Sequence, residues 1–339
     1  MFGKKLGIDL GTANSVAFVE GEGIVLTEPT VVAIDVNTAT VIAVGKEAKE
    51  MIGKTPENII AKRPLRNGVI ADSRVTEALL RYFYDKALGR SRFFKPDVVI
   101  SVPAGITSVE ERAVLKAANA VGSKSITLLP EPLLAALGAG LPINTSSGNM
   151  IINMGGGTSE IAVISLDGIV GYESLRVAGD ALNEYIISFM RKKKGILIGE
   201  QTAENIKMSI GSAVEVKDPK ETEVRGRDIG AGMPKSIVVN SNDIANALEI
   251  PLKSIIRSIQ NVLEKTPPEL SADIIDRGIV MSGGTAKLRN IDKLFSRATN
   301  VPCYVAENPI FCVANGTGIA LELMASGERT FSFNRDYRR

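Results

Sequence analysis

Three short stretches carry residue types suited to phosphate and metal-ion chemistry. Asp9 lies near the end of an apolar run and leads into Gly11-Thr12-Ala13-Asn14. Asn153 lies near the end of a second run and leads into Gly155-Gly156-Gly157-Thr158. Glycine tolerates positive φ and lets backbone N–H groups approach an anion closely. A carboxylate at the end of a buried strand is costly unless it meets a cation. For Asp9 the natural partner is Mg2+ bridging a polyphosphate, held largely through water. Glu131 stands between Pro130 and Pro132, ahead of the apolar Leu133-Leu134-Ala135-Ala136. A rigid acid there could position an attacking water, although the helix dipole also favours an acid in any first turn.

The two glycine stretches are copies of one another. Residues 4–19, KKLGIDLGTANSVAFV, lie over residues 148–163, GNMIINMGGGTSEIAV. The overlay pairs Asp9 with Asn153, Gly11 with Gly155, Ser15 with Ser159 and Val19 with Val163, at a constant offset of 153 − 9 = 144. Each copy reads as strand, hydroxyl-bearing tight turn, strand. Either alone would pass for an ordinary hairpin. Two in register predict related half-molecules facing each other across a cleft, each offering N–H groups to one end of a polyphosphate. The first copy carries a carboxylate where the second carries an amide.

The elements that must position these loops follow from the remaining pattern. A chain of 339 residues exceeds one compact core, so two domains or a duplicated architecture is expected. Apolar strands are expected near 5–10, 15–20, 24–26 and 31–35, with breaks at Gly53, Pro56, Pro64 and Gly68 in a shorter segment. A helix is expected over 74–88 and a buried strand over 96–103. Thr107 with Glu110, or Ser108 with Glu111, offers a capping box for the next helix, which Gly122 stops. Strand 125–129 and helix 131–139 close the first half. The second half repeats the theme with strands 150–154, 160–165 and 169–174 and helix 179–194, which ends in basic residues. A short helix at 200–210 and a small β insertion at 213–240 follow. Asn242 or Asp243 is a candidate cap for a helix toward Lys265 that Pro251 should kink or restart. Strand 277–282 and helix 286–298 come last. Alternating strands and helices make this an α/β protein.

Composition excludes several chemistries. There is no histidine, which removes imidazole-based nucleophilic catalysis and proton shuttling. Net charge is +2, so no nucleic-acid partner is expected. Cys303 and Cys312 have no metal-ligand spacing, and their scarcity fits a reducing cytosol. No apolar run reaches the roughly 18–20 residues of a membrane span, and no secretory signal is expected. Neither a Walker A motif nor a Rossmann glycine fingerprint occurs.

Asp9-Leu10-Gly11-Thr12, Glu131-Pro132, Met154-Gly155-Gly156-Gly157-Thr158 and Ser282-Gly283-Gly284 resemble the actin/Hsp70/sugar-kinase superfamily. The strings GIDLGTAN, MIGKTP, RPLRNGVIAD, TSVEERAV, IGEQTAENIK, EVRGRDI, EKTPPELSADIIDRGI and VAENPIFCVANGTG closely resemble the MreB family of bacterial actin homologues, in its Mbl-like branch, over residues 3–324.

The resemblance implies an actin-like, duplicated ribonuclease-H-like fold. It places subdomain IA at 1–31, 71–146 and 317–339, IB at 32–70, IIA at 147–181 and 244–316, and IIB at 182–243. It also implies ATP or ADP with Mg2+, polar paired filaments, and a cytoplasmic position at the inner membrane face beside the cell-wall elongation machinery. Residue by residue, Gly11, Thr12, Ala13 and Asn14 with Gly155, Gly156, Gly157 and Thr158 would hold phosphates, and Asp9 the metal. Glu204, Asn205, Ile206 and Lys207 would contact the nucleoside, Gly283, Gly284, Thr285 and Ala286 the base, and Asp180 the ribose and metal side. Glu131, Thr158 and Ser159 would position water. Phe93 and Phe94, between Arg92 and Lys95, match the loop with which the family enters the bilayer.

Two departures matter. Asn153 stands where the family has Asp, and Gly283-Gly284-Thr285 where it has three glycines. One reading is that Asp9 suffices and Asn153 still orients a water. The other is that nucleotide binds while hydrolysis is slowed, because an amide lacks the charge that holds a cation and its waters. The alternatives are a filament scaffold that binds nucleotide without meaningful turnover and a superfamily small-molecule kinase.

Overall fold

The computed structural model describes residues 4–66, 69–70, 72–89, 95–329 and 331. The opening run is β1 (Lys5–Leu10). It turns at residues 11–13 and returns antiparallel as β2 (Asn14–Val19), with Asp9 opposite Val16 and Leu10 opposite Ser15. Gly21 and Gly23 at positive φ turn the chain into β3 (Gly23–Pro29).

An arm follows, made of β4 (Val32–Asp35), β5 (Val41–Val44), α1 (Lys46–Met51) and β6 (Ile59–Lys62), whose strands form the sheet β5-β4-β6. A ribbon of β7 (Leu65–Arg66) and β8 (Val69–Ile70) leads to α2 (Ser73–Leu88), capped by the Asp72 carboxylate. Then come β9 (Asp97–Val102), α3 (Ser108–Val121) and β10 (Ser125–Pro130). Of the two possible capping boxes, α3 uses Thr107 with Glu110. The first five-stranded sheet has the order β10-β9-β1-β2-β3, with β1, β9 and β10 parallel.

After α4 (Glu131–Gly138) the pattern repeats. β11 (Asn149–Met154), β12 (Ser159–Ser165) and β13 (Gly168–Leu175) run antiparallel, with Asn153 opposite Glu160 and Met154 opposite Ser159. These are the register pairs of β1 and β2 moved along by the sequence offset. A second arm consists of α5 (Gly179–Lys194), β14 (Ile196–Leu197), α6 (Glu200–Ile210), β15 (Glu221–Asp228) and β16 (Pro234–Asn240). The chain then returns through α7 (Ser241–Lys265), α8 (Pro268–Arg277), β17 (Ile279–Ser282), a 3-10 turn at Gly284–Lys287, α9 (Ile291–Thr299), β18 (Cys303–Val305) and α10 (Cys312–Ser326). The second sheet, β13-β12-β11-β17-β18, has the topology of the first.

Three expectations are corrected. The α7 cap is Asn240, at the end of β16 and two residues before Asn242, with Asp243 as its reciprocal partner. The helix runs through Pro251 without a break. Proline removes one ladder bond there, but its ring is buried on the face that also buries Leu248, Leu252, Ile255 and Ile259, and that packing holds the helix. The helix expected over 286–298 is split. Asn290 takes a left-handed φ of 61° and Ser212 bridges to Arg289, so regular helix starts only at Ile291.

Each half has its own apolar core. A third cluster spans them, joining Leu129, Leu133 and Leu134 to Ile151, Ala162, Ile164 and Val313. The chain passes between halves twice, after α4 and again into α10. These two helices cross where Gly138 lies against the Cys312 carbonyl and Gly316 against the Leu134 carbonyl. Any side chain at either glycine would collide with backbone, so the crossing is backbone on backbone.

Candidate nucleotide cleft

Between the halves lies a cavity of about 640 Å³. Its floor is built by matching strand ends. Asp9 on β1 accepts a hydrogen bond at Oδ1 from Ser101 Oγ of β9 (2.8 Å). Asn153 on β11 accepts at Oδ1 from Ser282 Oγ of β17 (3.0 Å). In both halves a serine on the adjacent parallel strand holds the residue just before the glycine turn. Asn153 also donates from Nδ2 to Glu131 Oε2 (3.1 Å), which a carboxylate could not do.

The two turns meet above this floor. Gly156 lies so close to Ala13 that a Cβ would not fit, so the glycine is needed for the loops to close on one another. Gly11, Thr12, Ala13, Asn14, Gly155, Gly156, Gly157 and Thr158 all line the cavity. On the wall opposite, Glu204, Asn205 and Lys207 of α6 face Gly283, Gly284 and Thr285. Thr285 Oγ1 donates to the Gly155 carbonyl (2.8 Å) and Lys207 Nζ to the Gly179 carbonyl (2.7 Å), which ties one wall to the second glycine turn and the other to the start of α5.

Some expected residues lie elsewhere. The Ser159 hydroxyl donates to the Val177 carbonyl (2.6 Å) and is buried, so it faces β13 and not the cavity. The Ile206 and Ala286 side chains belong to the second apolar core, because α6 and the 3-10 turn each bury one face. Phe93 and Phe94 lie outside the described residues.

Three participants had escaped the sequence reading. Arg63 pairs with Asp180 (2.9 Å) and Glu200 (2.8 Å), and Lys49 pairs with Glu204 (3.1 Å), so the first arm closes ion pairs on the second across the mouth. Arg63 opens the string RPLRNGVIAD, but nothing local to either cation points to its partner. Glu160, fully buried on β12, did leave a signal, as a charge directly ahead of the apolar run Ile161-Ala162-Val163.

The electrostatics of the floor are those of a site short of positive charge. Burial pushes Asp9 up to about 6, against the Ser101 hydrogen bond. Burial pushes Glu160 up to about 7, against bonds from Ala104 N–H and Ser174. Glu131 is raised well above the ordinary carboxylate range by burial and then by Glu160 and Asp9, while Asn153 opposes this. Burial lowers Lys207, with Glu204 and Asp180 acting the other way. Among the described residues no cluster of three metal-ligating side chains occurs. One floor carboxylate fits a cation bound mainly by phosphate oxygens and water, and does not fit an all-protein cage.

Paired sheets of one topology, closing two glycine turns over an acidic floor, define an actin-like protein with a cleft between its halves. A family model for the MreB/Mbl protein matches residues 3–329, and the chain belongs to the MreB/Mbl family. It is 50% identical over 322 residues to the cell shape-determining protein Mbl of Bacillus cereus, covering 95% of this chain and 97% of that one. It is 48% identical over 330 residues to the cell shape-determining protein MreB of Escherichia coli K12, covering 96% and 95%. The crystal structure of MreB5 of Spiroplasma citri bound to AMPPNP superposes with a TM-score of 0.92 at 36% identity, covering 97% of this chain and 98% of that one. The ADP-bound form of the same protein gives 0.91.

Proposed function

We propose that this chain is an ATP-dependent filament protein that works at the inner face of the cell membrane, where it organises the cell-wall elongation machinery and so determines cell shape. The observation that carries the reading is the pair of glycine turns, matched in register and closed on each other at Gly156 and Ala13, in a chain that superposes on MreB5 bound to AMPPNP. Asp9 would hold Mg2+ through water. The ion supplies charge neutralisation of the phosphates, and the two turns orient them. Glu131 and Thr158 would orient the attacking water. Residues 1–31, 71–146 and 317–339 would form subdomain IA, 32–70 IB, 147–181 and 244–316 IIA, and 182–243 IIB. Phe93 and Phe94 would enter the bilayer. Among the described residues no helix is long and apolar enough to cross a membrane.

Turnover would be slow. Asn153 contributes no charge to a cation, and its amide donates to Glu131 Oε2, which takes up one acceptor site of the acid expected to orient the water. The same hydrogen bond favours a second reading, a scaffold that binds nucleotide and scarcely hydrolyses it. Sedimentation with ATP or AMPPNP, with phosphate release followed in parallel, tests both. A filament protein pellets with either nucleotide, and a small-molecule kinase pellets with neither. If slow hydrolysis is right, Asn153→Asp speeds single-turnover phosphate release by about ten-fold or more. Equal rates for the two proteins would remove the claim.

A further inference from the structure

A buried carboxylate on the second half reaches across to the first. Glu160 follows Thr158 and Ser159 directly and is fully buried on β12, opposite Asn153. Both of its oxygens lie within reach of the Ala104 backbone N–H, at 3.2 and 3.0 Å. Its Oε1 also accepts from Ser174 Oγ of β13 at 2.8 Å. Ala104 belongs to the turn after β9, closed by Ile106 N–H on the Pro103 carbonyl. Three residues upstream, Ser101 donates to Asp9 and accepts from the Leu10 N–H at 3.0 Å. Hydrogen bonds and short chain segments therefore connect the two turns: Asp9 and Leu10 bond to Ser101, the chain runs on from Ser101 to Ala104, Ala104 bonds to Glu160, and Glu160 lies two residues after Thr158.

The turn at 103–106 and the strand segment at 172–176 form the opposite walls of a second cavity of about 410 Å³, with Thr158 at its inner end. The Glu160 carboxylate bonds to both walls, to Ala104 on one side and Ser174 on the other. The duplication sharpens the point. The position equivalent to Glu160 in the first copy is Val16, opposite Asp9, and it is buried and apolar. A valine satisfies the fold at this place, so a carboxylate there, with its cost of burial, answers to another demand.

We propose that Glu160 is a positioning residue that couples the two phosphate turns, keeping Thr158 of the second half in alignment with Glu131 of the first. It touches neither nucleotide nor water itself. Hydrolysis draws its water-orienting groups from both halves, so their relative placement sets the rate, and displacements of about 1 Å are costly. The proposal rests on the hydrolytic reading of the cleft.

The test uses the full chain below its assembly concentration, with spin labels at the exposed helix positions Lys116→Cys and Glu264→Cys. Glu160→Gln keeps the shape and removes one acceptor oxygen. With AMPPNP bound, the distance distribution between halves should broaden in this variant. The affinity for AMPPNP should stay within about three-fold, while single-turnover phosphate release falls by about ten-fold or more. Ser174→Ala removes only the bond within the second half, so it should leave the distribution narrow. Glu160→Val, which installs what the first copy carries, should match Glu160→Gln. An unchanged distribution in Glu160→Gln overturns the coupling. A broadened distribution with unchanged phosphate release overturns the positioning role. If the unsubstituted protein releases no phosphate at all, the hydrolytic reading fails. The distance measurement then still decides the coupling, for or against.

Discussion

Asn153 shows how one atom redistributes the work of a site. Its Oδ1 takes the Ser282 hydroxyl just as Asp9 takes Ser101, so the strand end is held as in the other half. Its Nδ2 instead fastens Glu131. The neighbouring carboxylates carry a pH consequence. Glu160, at about 7, and Asp9, at about 6, hold protons in the folded protein that the unfolded chain has already lost. The folded state binds more protons in this window, so stability falls as pH rises from about 5 to about 7. Thermal unfolding of the nucleotide-free protein should show a higher midpoint at the acidic end, and Glu160→Gln should flatten the slope. Carboxylates held low, such as Asp228 at about 2, lose their contribution at lower pH and do not blur the comparison. Asp9, Asn153 and the glycine turns were legible in the sequence because each motif is contiguous. Arg63, Lys49 and the role of Glu160 were not, because their partners lie on other elements, 14 to 155 residues away.

Elements were legible where one local cause fixed them and less so where tertiary contact decided. Both strand–turn–strand units, α5 and the Thr107 cap followed from periodicity and end signals. The continuity of α7 through Pro251 and the delayed start of α9 did not, because packing overrode propensity in one and a long-range bridge in the other. The crossing of α4 and α10 gives the sharpest test at this scale. Gly316→Ala would drive a methyl into the Leu134 carbonyl, and overpacking of this kind costs about 1–3 kcal/mol or more. The urea midpoint should fall accordingly. Gly171→Ala is the control, since a Cβ there meets nothing, and it should change stability by less than about 0.5 kcal/mol. Equal losses at the two sites would argue against a backbone-on-backbone crossing.

Across the whole molecule the ion pairs at the mouth join the two arms, and on the proposed function they should set how fast a bound nucleotide leaves. Arg63 is mostly enclosed and bridges two carboxylates, so its pairing is worth more than an exposed surface pair, by about 1–2 kcal/mol. Arg63→Ala should speed release of a fluorescent ADP by roughly ten-fold. Added salt should accelerate release from the unsubstituted protein more than from the variant. A rate that ignores both changes would show that the arms do not gate the cleft. The helix crossing gives the same arms a second significance. With two carbonyls seated against two glycines there is no side chain to compress, so the halves are joined by a fulcrum rather than a cushion. Glu131 opens α4, beside that fulcrum, while Lys49 and Arg63 sit at the far end of the beam. Turning about that point would carry a small shift at the floor to the mouth as a larger one, a change of outline that another molecule could feel.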